Sequence, residues 1–413
     1  MSTDEKRAKQ RVCAECFNDD SIRHFVRGHA VSGACDFCER QSGDLVAAPW
    51  KDVLRFVLDG LKQCWTTDVR ESTEYHVDGP PRSYDTRDLI VIAGEIAGIS
   101  PIQNESVTEE VLRSTDDLAW YDRELTSRDL YGGLALNWDE FWHRVTRNSR
   151  FFFFVPMQGD VGSFEPPDMP AKILDELGDL TAQAGLVRTL PSGTAFFRAR
   201  QHSPKHPVST VCDLGPPPHK RALCANRMSP AGIVMFYGAL GQRTALREVY
   251  DPCRADDGEV ELTVGQFVTT ADFAVVDLTN VPPVPSMFDQ ERRHLRSGVM
   301  FLHRFVDEVK LPVTKDGREH VEYVPTQVVT EYFRHAFRVA DGTAIRGILY
   351  PSSMEPGGVC CVLFFENDQC SEKRGGRLDR RLGWLQLDND SVEHFRAEAC
   401  FTSSARNKTP TDG

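Results

Sequence analysis

The chain has 413 residues, of which 40% are hydrophobic and 26% charged, with a formal net charge of −13 and twelve cysteines. That length exceeds one ordinary core and points to two or three domains. The composition is that of a folded soluble chain rather than a disordered or membrane-embedded one, and no apolar run approaches a bilayer span. The acidic balance argues against a protein that grips nucleic-acid backbone over a broad basic field. The opening "MSTDEKRAKQRVC" has no apolar core after its charges, so the expected location is cytoplasmic. There, twelve thiols are better read as metal ligands and buried side chains than as a disulfide framework.

The first element is a pair of CxxC knuckles, Cys13 and Cys16 in "CAEC" and Cys35 and Cys38 in "CDFC", separated by eighteen residues. Each knuckle offers two thiolates about one tetrahedral edge apart, and two of them close a structural zinc shell with no position left for water. His24 and His29 lie inside the intervening loop and are read as surface residues. From Trp50 the apolar period becomes helical, with Trp50, Val53, Leu54, Val57, Leu58, Leu61 and Trp65 on one stripe. "TRDLIVIAGEIAGI" and "SVTEEVLRSTDDLAWY" continue the helical texture, the latter with a capping-box signal between Ser106 and Glu109. Asn137 and Glu140 suggest a similar start in "NWDEFWHRVTRNSRFFF". Residues 50–154 therefore read as a helical bundle, and "GDVGSFEPPDMP" as a linker.

After a helix in "AKILDELGDLTAQAGL", strands and short helices alternate. "GTAFFRAR" and "GIVMFYGA" read as strands, "QRTALREVYD" as a helix and "EVELTVGQFVTTADFAVVDLT" as two strands. "RRHLRSGVMFLHRFVDEV" and "TQVVTEYFRHAF" read as helices, and "RGILYPSS" and "CCVLFFEN" as closing strands, the last stopping at Phe365. "EKRGGRLDRR" reads as a solvated basic face and "TSSARNKTPTDG" as a polar tail. The chain has no internal repeat, and neither a dinucleotide-binding glycine fingerprint nor a P-loop.

Polar residues recur on apolar elements of the C-terminal half: Arg198 and Arg200 in "FFRAR", Arg227 in "NRMSPAGIVMFYGA", Glu248 in "TALREVYD" and Ser352 in "GILYPSS", with "VPTQVVTEYFR" before the last. In that order, over roughly residues 190–370, the chain resembles the RES domain, a family named for its arginine, glutamate and serine. Met228 stands where the family more usually has an aromatic. The resemblance implies a fold related to ADP-ribosyltransferases and cleavage of the nicotinamide–ribose bond of NAD, often by the toxin of a toxin–antitoxin pair. The front half resembles the HEPN-type regions found fused to RES domains. The expected class is α+β: a four-cysteine zinc ribbon over 1–48, a helical HEPN-like domain over 49–165, a mixed α/β RES domain over 166–380, and an extension and tail over 381–413.

The chemistry can be weighed beside the resemblance. Breaking an N-glycosidic bond passes through an oxocarbenium-like transition state, so a carboxylate near the ribose stabilises developing positive charge, and Glu248 is the candidate. A pyrophosphate suits the planar fork of an arginine, which directs attention to Arg227, with Arg198 and, by strand alternation, Arg200 beside it. Tyr237 closes an apolar strand where its ring can stack on nicotinamide. Ser352 is placed to hydrogen-bond ribose or phosphate, and no neighbouring histidine activates it as a nucleophile. The catalytic set is thus Glu248, Arg227 and Ser352, and the NAD-binding set Arg198, Arg200, Arg227, Tyr237 and Ser352. Taken singly, each reads as an ordinary helix, strand or turn residue; the weight comes from their occurrence together in order. Zinc is the expected structural ion and NAD the expected substrate. The expected partners are an antitoxin or regulatory protein and a further copy of the chain, with no membrane or nucleic acid. The front half is expected to regulate the enzyme. Two alternatives stand: transfer of ADP-ribose to a macromolecule, and a front half that acts as a sensor restraining the C-terminal domain or as a HEPN-type ribonuclease through Arg70 and His76, although "HVDGPP" breaks the helix that this pair would need.

Overall fold

A computed structural model describes residues 9–68, 70, 83–97, 100–115, 118–122, 131, 134–151, 170–251, 260–310, 319–373 and 383–396. Among these the chain is α+β, with eleven α-helices and fourteen strands. It forms two compact units, residues 1–133 with 282–300, and residues 134–281 with 301–413.

In the first unit, β1 (Arg11–Cys13) pairs antiparallel with β2 (Ala47–Pro49), which brings the two ends of the knuckle region together. Helix α1 (Asp20–Gly28) starts at Asp19, whose carboxylate accepts from the N–H groups of Ser21 and Ile22 at 2.9 and 3.0 Å and so satisfies donors that a first turn leaves open. Helix α2 (Trp50–Leu61) buries Trp50, Val53, Phe56, Val57, Gly60 and Leu61, the spacing of one helical face. Each of its large apolar side chains contributes about 1.5–3 kcal/mol by burial. Leu54 and Leu58 are only partly buried, and Trp65 lies beyond the helix in β3 (Trp65–Thr66).

That strand corrects the all-helical reading of residues 50–154, because β3, β5 (Trp120–Asp122) and β4 (Ser83–Tyr84) form an antiparallel sheet in that order. Buried Trp120 donates from Nε1 to Thr86 Oγ1 at 2.9 Å, tying the sheet to α3 (Thr86–Ala97). Helix α4 (Glu105–Arg113) starts at Asn104, whose side chain accepts from the Val107 N–H; the expected capping residue Ser106 lies inside the helix. Residues 282–300 complete this unit's core. Met287 and Phe288 are buried with the α2 face, a Cβ on Gly60 would lie 2.2 Å from the Phe288 ring, and Ser286 donates to Asp19 at 2.6 Å.

The second unit is built on one nine-stranded sheet. Its strands in chain order are β6 (Val187–Leu190), β7 (Ala195–His202), β8 (Phe236–Ala239), β9 (Glu261–Thr269), β10 (Phe273–Asp277), β11 (Ile345–Pro351), β12 (Val359–Leu363), β13 (Cys370–Glu372) and β14 (Leu385–Arg396). The spatial order is β13-β14-β9-β7-β8-β12-β11-β10-β6, with β10–β11 and β13–β14 parallel and the other pairs antiparallel. The strand expectation stopped at Phe365, yet β13 and β14 follow it. β14 is the longest strand, pairs with the full length of β9 and lies beyond residue 380. Its "LQLDNDSVEHFR" alternates too weakly for a period-2 signal, because a register shift between Asp388 and Glu393 breaks the parity.

Helices α5 (Leu134–His143) and α6 (Pro170–Gln183) precede the sheet; α5 begins at Leu134, so Asn137 is interior rather than a start. Trp138 packs edge-on against Phe301 and Phe305 of α9 (Arg296–Lys310) and donates to Glu308 at 2.8 Å. The short α7 (Val211–Leu214), α8 (Gln242–Val249), α10 (Glu319–Glu322) and α11 (Val324–Glu331) complete the described helices. Most of the expected linker, residues 159–169, lies outside the described residues, as do most of the basic patch and the tail.

Register sets the two faces of this sheet. Phe197, Ala239, Cys360 and Tyr350 are successive cross-strand partners and so share a face. On that face Ala199, Ala239, Leu262 and Val264 pack against Ala245 and Leu246 of α8. The other face carries Phe196, Phe236, Phe267, Leu349, Cys361 and Leu363 into the larger core.

Candidate functional site

The four knuckle cysteines meet. All their sulfurs lie within 4.8 Å of one another, with Cys13–Cys16 and Cys16–Cys35 at 3.8 Å and Cys13–Cys38 at 3.4 Å. A zinc tetrahedron with bonds of about 2.3 Å has edges of about 3.8 Å, so the donor set and its spacing fit that ion. Cys13, Cys16 and Cys35 are buried and Cys38 is the open member. The hydrogen bond shared with Cys16, together with backbone N–H groups of Phe37, Cys38 and Cys13, lowers Cys35, while the same bond and burial push Cys16 up. His24 and His29 are exposed, and His29 turns its ring nitrogen to the Phe25 carbonyl.

The second constellation lies where α8 ends on the sheet. Thr244, Ala245 and Leu246 bury one side of the helix, leaving Glu248 on its exposed side. Ser352, immediately after β11, donates from Oγ to Glu248 Oε1 at 2.5 Å and accepts from the N–H groups of Met354 and Glu355 at 3.1 and 3.0 Å. Its proton and both lone pairs are engaged, so this hydroxyl orients a carboxylate rather than attacking a substrate. The turn that delivers it is fastened to α8, since Glu355 pairs with Arg247 at 2.8 Å and Arg243 at 3.3 Å. Gly358 is needed there because a Cβ would lie 2.7 Å from Thr244 Oγ1 and 2.9 Å from the Glu355 carbonyl. Cys360 faces the same carboxylate; burial, and next the Glu248 charge, push its thiol up and keep it protonated.

Tyr237 and Tyr350 share this face with Cys360. The Tyr237 hydroxyl meets Ser229 Oγ at 2.8 Å. Burial raises both phenols above their ordinary range, and Tyr350 also feels Cys360, Tyr237 and Glu248. Arg227 places its guanidinium 5.7 Å from the Tyr323 ring centre and donates to the Glu308 carbonyl at 3.3 Å. Its backbone is pinned by α11, with Thr326 donating to the Arg227 carbonyl at 2.6 Å and Gln327 to the Asn226 carbonyl at 2.8 Å. Met228 is 2% exposed, so this side chain fills the interior rather than facing a ligand.

Arg198 and Arg200 do not join this group. They alternate with Phe197 and therefore point to the opposite face of the sheet from Tyr237 and α8. Arg198 lies 5.2 Å from the Phe236 ring centre and donates to the Tyr237 carbonyl at 2.7 Å; Arg200 donates to the Gly215 carbonyl at 2.9 Å. The Nε atoms of both are buried without an acceptor. Burial, then repulsion from Arg200, pulls Arg198 down to about 9, still cationic at neutral pH. On the helical side of the chain, Arg70 is held by Asp68 at 2.7 Å, and the partner expected for it, His76, lies outside the described residues.

Tyr350 and Cys360 were absent from the sequence-derived set. Tyr350 was findable, being two residues before Ser352 on the same strand parity; Cys360 depends on a cross-strand register that local pattern does not encode.

A family model described as RES domain matches residues 196–382, and one described as HEPN/RES N-terminal domain 1 matches residues 28–158. No curated protein matches the chain, and no solved structure does.

Proposed function

Because the chain is a RES-domain protein with a HEPN/RES-type N-terminal domain, which ties it to NAD-related toxin or effector functions in general, we propose that it cleaves the N-glycosidic bond between nicotinamide and ribose of NAD. The observation that carries this reading is the Ser352–Glu248 hydrogen bond, which holds a carboxylate over the sheet face that also carries Tyr237 and Tyr350. The ring nitrogen of NAD is cationic, so when the bond to the ribose C1 breaks, the electron pair returns to that nitrogen and nicotinamide leaves neutral. No general acid is needed. What the reaction does need is stabilisation of the oxocarbenium-like sugar, and a fixed carboxylate supplies it. Water or inorganic phosphate then bonds to C1, water losing its proton to solvent or to Glu248. Arg227 is assigned to the bridging phosphates and Tyr237 to the nicotinamide side.

In this reading Arg198 and Arg200 support the sheet from behind, and zinc on Cys13, Cys16, Cys35 and Cys38 closes the N-terminal fold. The test is chromatographic detection of nicotinamide from NAD in water and in phosphate buffer, with Glu248→Gln alongside. Release that is absent in both media, or undiminished by the substitution, removes the proposal. Label from NAD retained on a polypeptide would move it to macromolecular ADP-ribosylation.

A further inference from the structure

The hydroxyls around Glu248 are not equivalent. Ser352 Oγ is saturated by one donated and two accepted hydrogen bonds, and Tyr237 Oη is engaged with Ser229. Tyr350 has no hydrogen-bond partner among the described residues. It sits on β11 directly opposite Cys360, which in turn is opposite Ala239, on the face that carries Tyr237 and α8. The residue is half-buried, and Ser352, two residues on with the same strand parity, holds the Glu248 carboxylate. Its hydroxyl is therefore left to water, which a ligand can replace as the hydrogen-bond partner. Its surroundings keep the phenol protonated, so it can donate as well as accept.

The geometry points to Tyr350 as a substrate-contacting residue that hydrogen-bonds a ribose hydroxyl of the sugar next to nicotinamide. This rests on the proposed NAD cleavage, in which Glu248 acts at C1 of that same sugar. A residue that shares a sheet face with the nicotinamide-side tyrosine and lies two residues from the serine holding the carboxylate is positioned at the sugar rather than at the phosphates. Discrimination follows from it: a substrate lacking the contacted hydroxyl leaves the phenol unpaired again.

The experiment uses the full-length protein and Tyr350→Phe, which removes only the oxygen, with NAD, 2′-deoxy-NAD and 3′-deoxy-NAD (deoxygenated on the nicotinamide ribose) as substrates. Thermal melting checks that the variant is folded. Loss of one neutral hydrogen bond lowers kcat/KM for NAD by about five- to tenfold. For one deoxy analogue the variant and the parent protein should turn over equally, because the contact is already gone; comparing ratios cancels the analogue's own lability. Equal kcat/KM of Tyr350→Phe and the parent on NAD overturns the assignment, as does a deficit that persists on both analogues. Turnover of NAD undiminished by Glu248→Gln sinks the underlying reading instead, so the two failures are told apart.

Discussion

The thiols of Cys13, Cys16, Cys35 and Cys38 and the carboxylate of Glu248 are all polar groups taken partly out of water, and the fold completes them differently. The thiols converge on one another, within 4.8 Å, and leave no member to face a ligand. Glu248 is completed from one side by Ser352, with Tyr350 left open nearby. A set that satisfies itself can be encoded by a local spacing such as CxxC. A set that must stay available has to be assembled from distant strands whose register holds it half-finished, here β8, β11 and the end of α8.

Attacking the closed cluster should have the largest effect. Structural zinc in small domains contributes on the order of 10 kcal/mol, so Cys16→Ser should abolish metal content and lower the melting temperature; full zinc occupancy in that variant would contradict the closed-cluster account. On the open side, Glu248→Gln should reduce nicotinamide release by about 10²- to 10³-fold at unchanged melting temperature, the size of a lost electrostatic stabiliser. Ser352→Ala should be milder, about tenfold in kcat, since it frees a carboxylate that remains charged. A loss as complete as that of Glu248→Gln would mean that the serine itself meets substrate. Smallest is Arg198→Met. The Arg198 guanidinium is disfavoured by folding at every pH below about 9, and a volume-matched apolar side chain removes that cost against one lost bond to the Tyr237 carbonyl. Stability should therefore be unchanged or raised, with turnover intact. Strong loss of turnover in Arg198→Met would restore the arginine to the ligand side of the sheet.

Much of this was legible in the sequence. The helical stripe from Trp50 to Leu61, the alternation of "FFRAR" and the helix bearing Glu248 all follow from local period. The sequence also showed that Arg198 and Arg200 share a face, but not which face, because "AFFRAR" has Phe196 and Phe197 side by side and both parities look apolar. Only the cross-strand pairing of Phe197 with Ala239 decides it. Asn104 rather than Ser106 starts α4 because its side chain reaches the Val107 N–H, a choice between two residues of nearly equal capping strength. The strand after residue 384 was missed because its partner, β9, lies more than a hundred residues earlier and its bulge hides the alternation.

The segment 282–300 has a consequence for synthesis. The chain moves between the two units three times, at 133/134, 281/282 and 300/301. Phe288 fills the space over Gly60, so the zinc-bearing unit is unfinished when residue 133 leaves the ribosome. At ~5–20 residues per second, translating the intervening 134–300 takes roughly 8–33 s. Through that interval the part of the Trp50 helix around Gly60 that Phe288 covers waits open, which makes the nascent chain a natural client for chaperones. It also makes any truncated chain ending before residue 300 prone to aggregate.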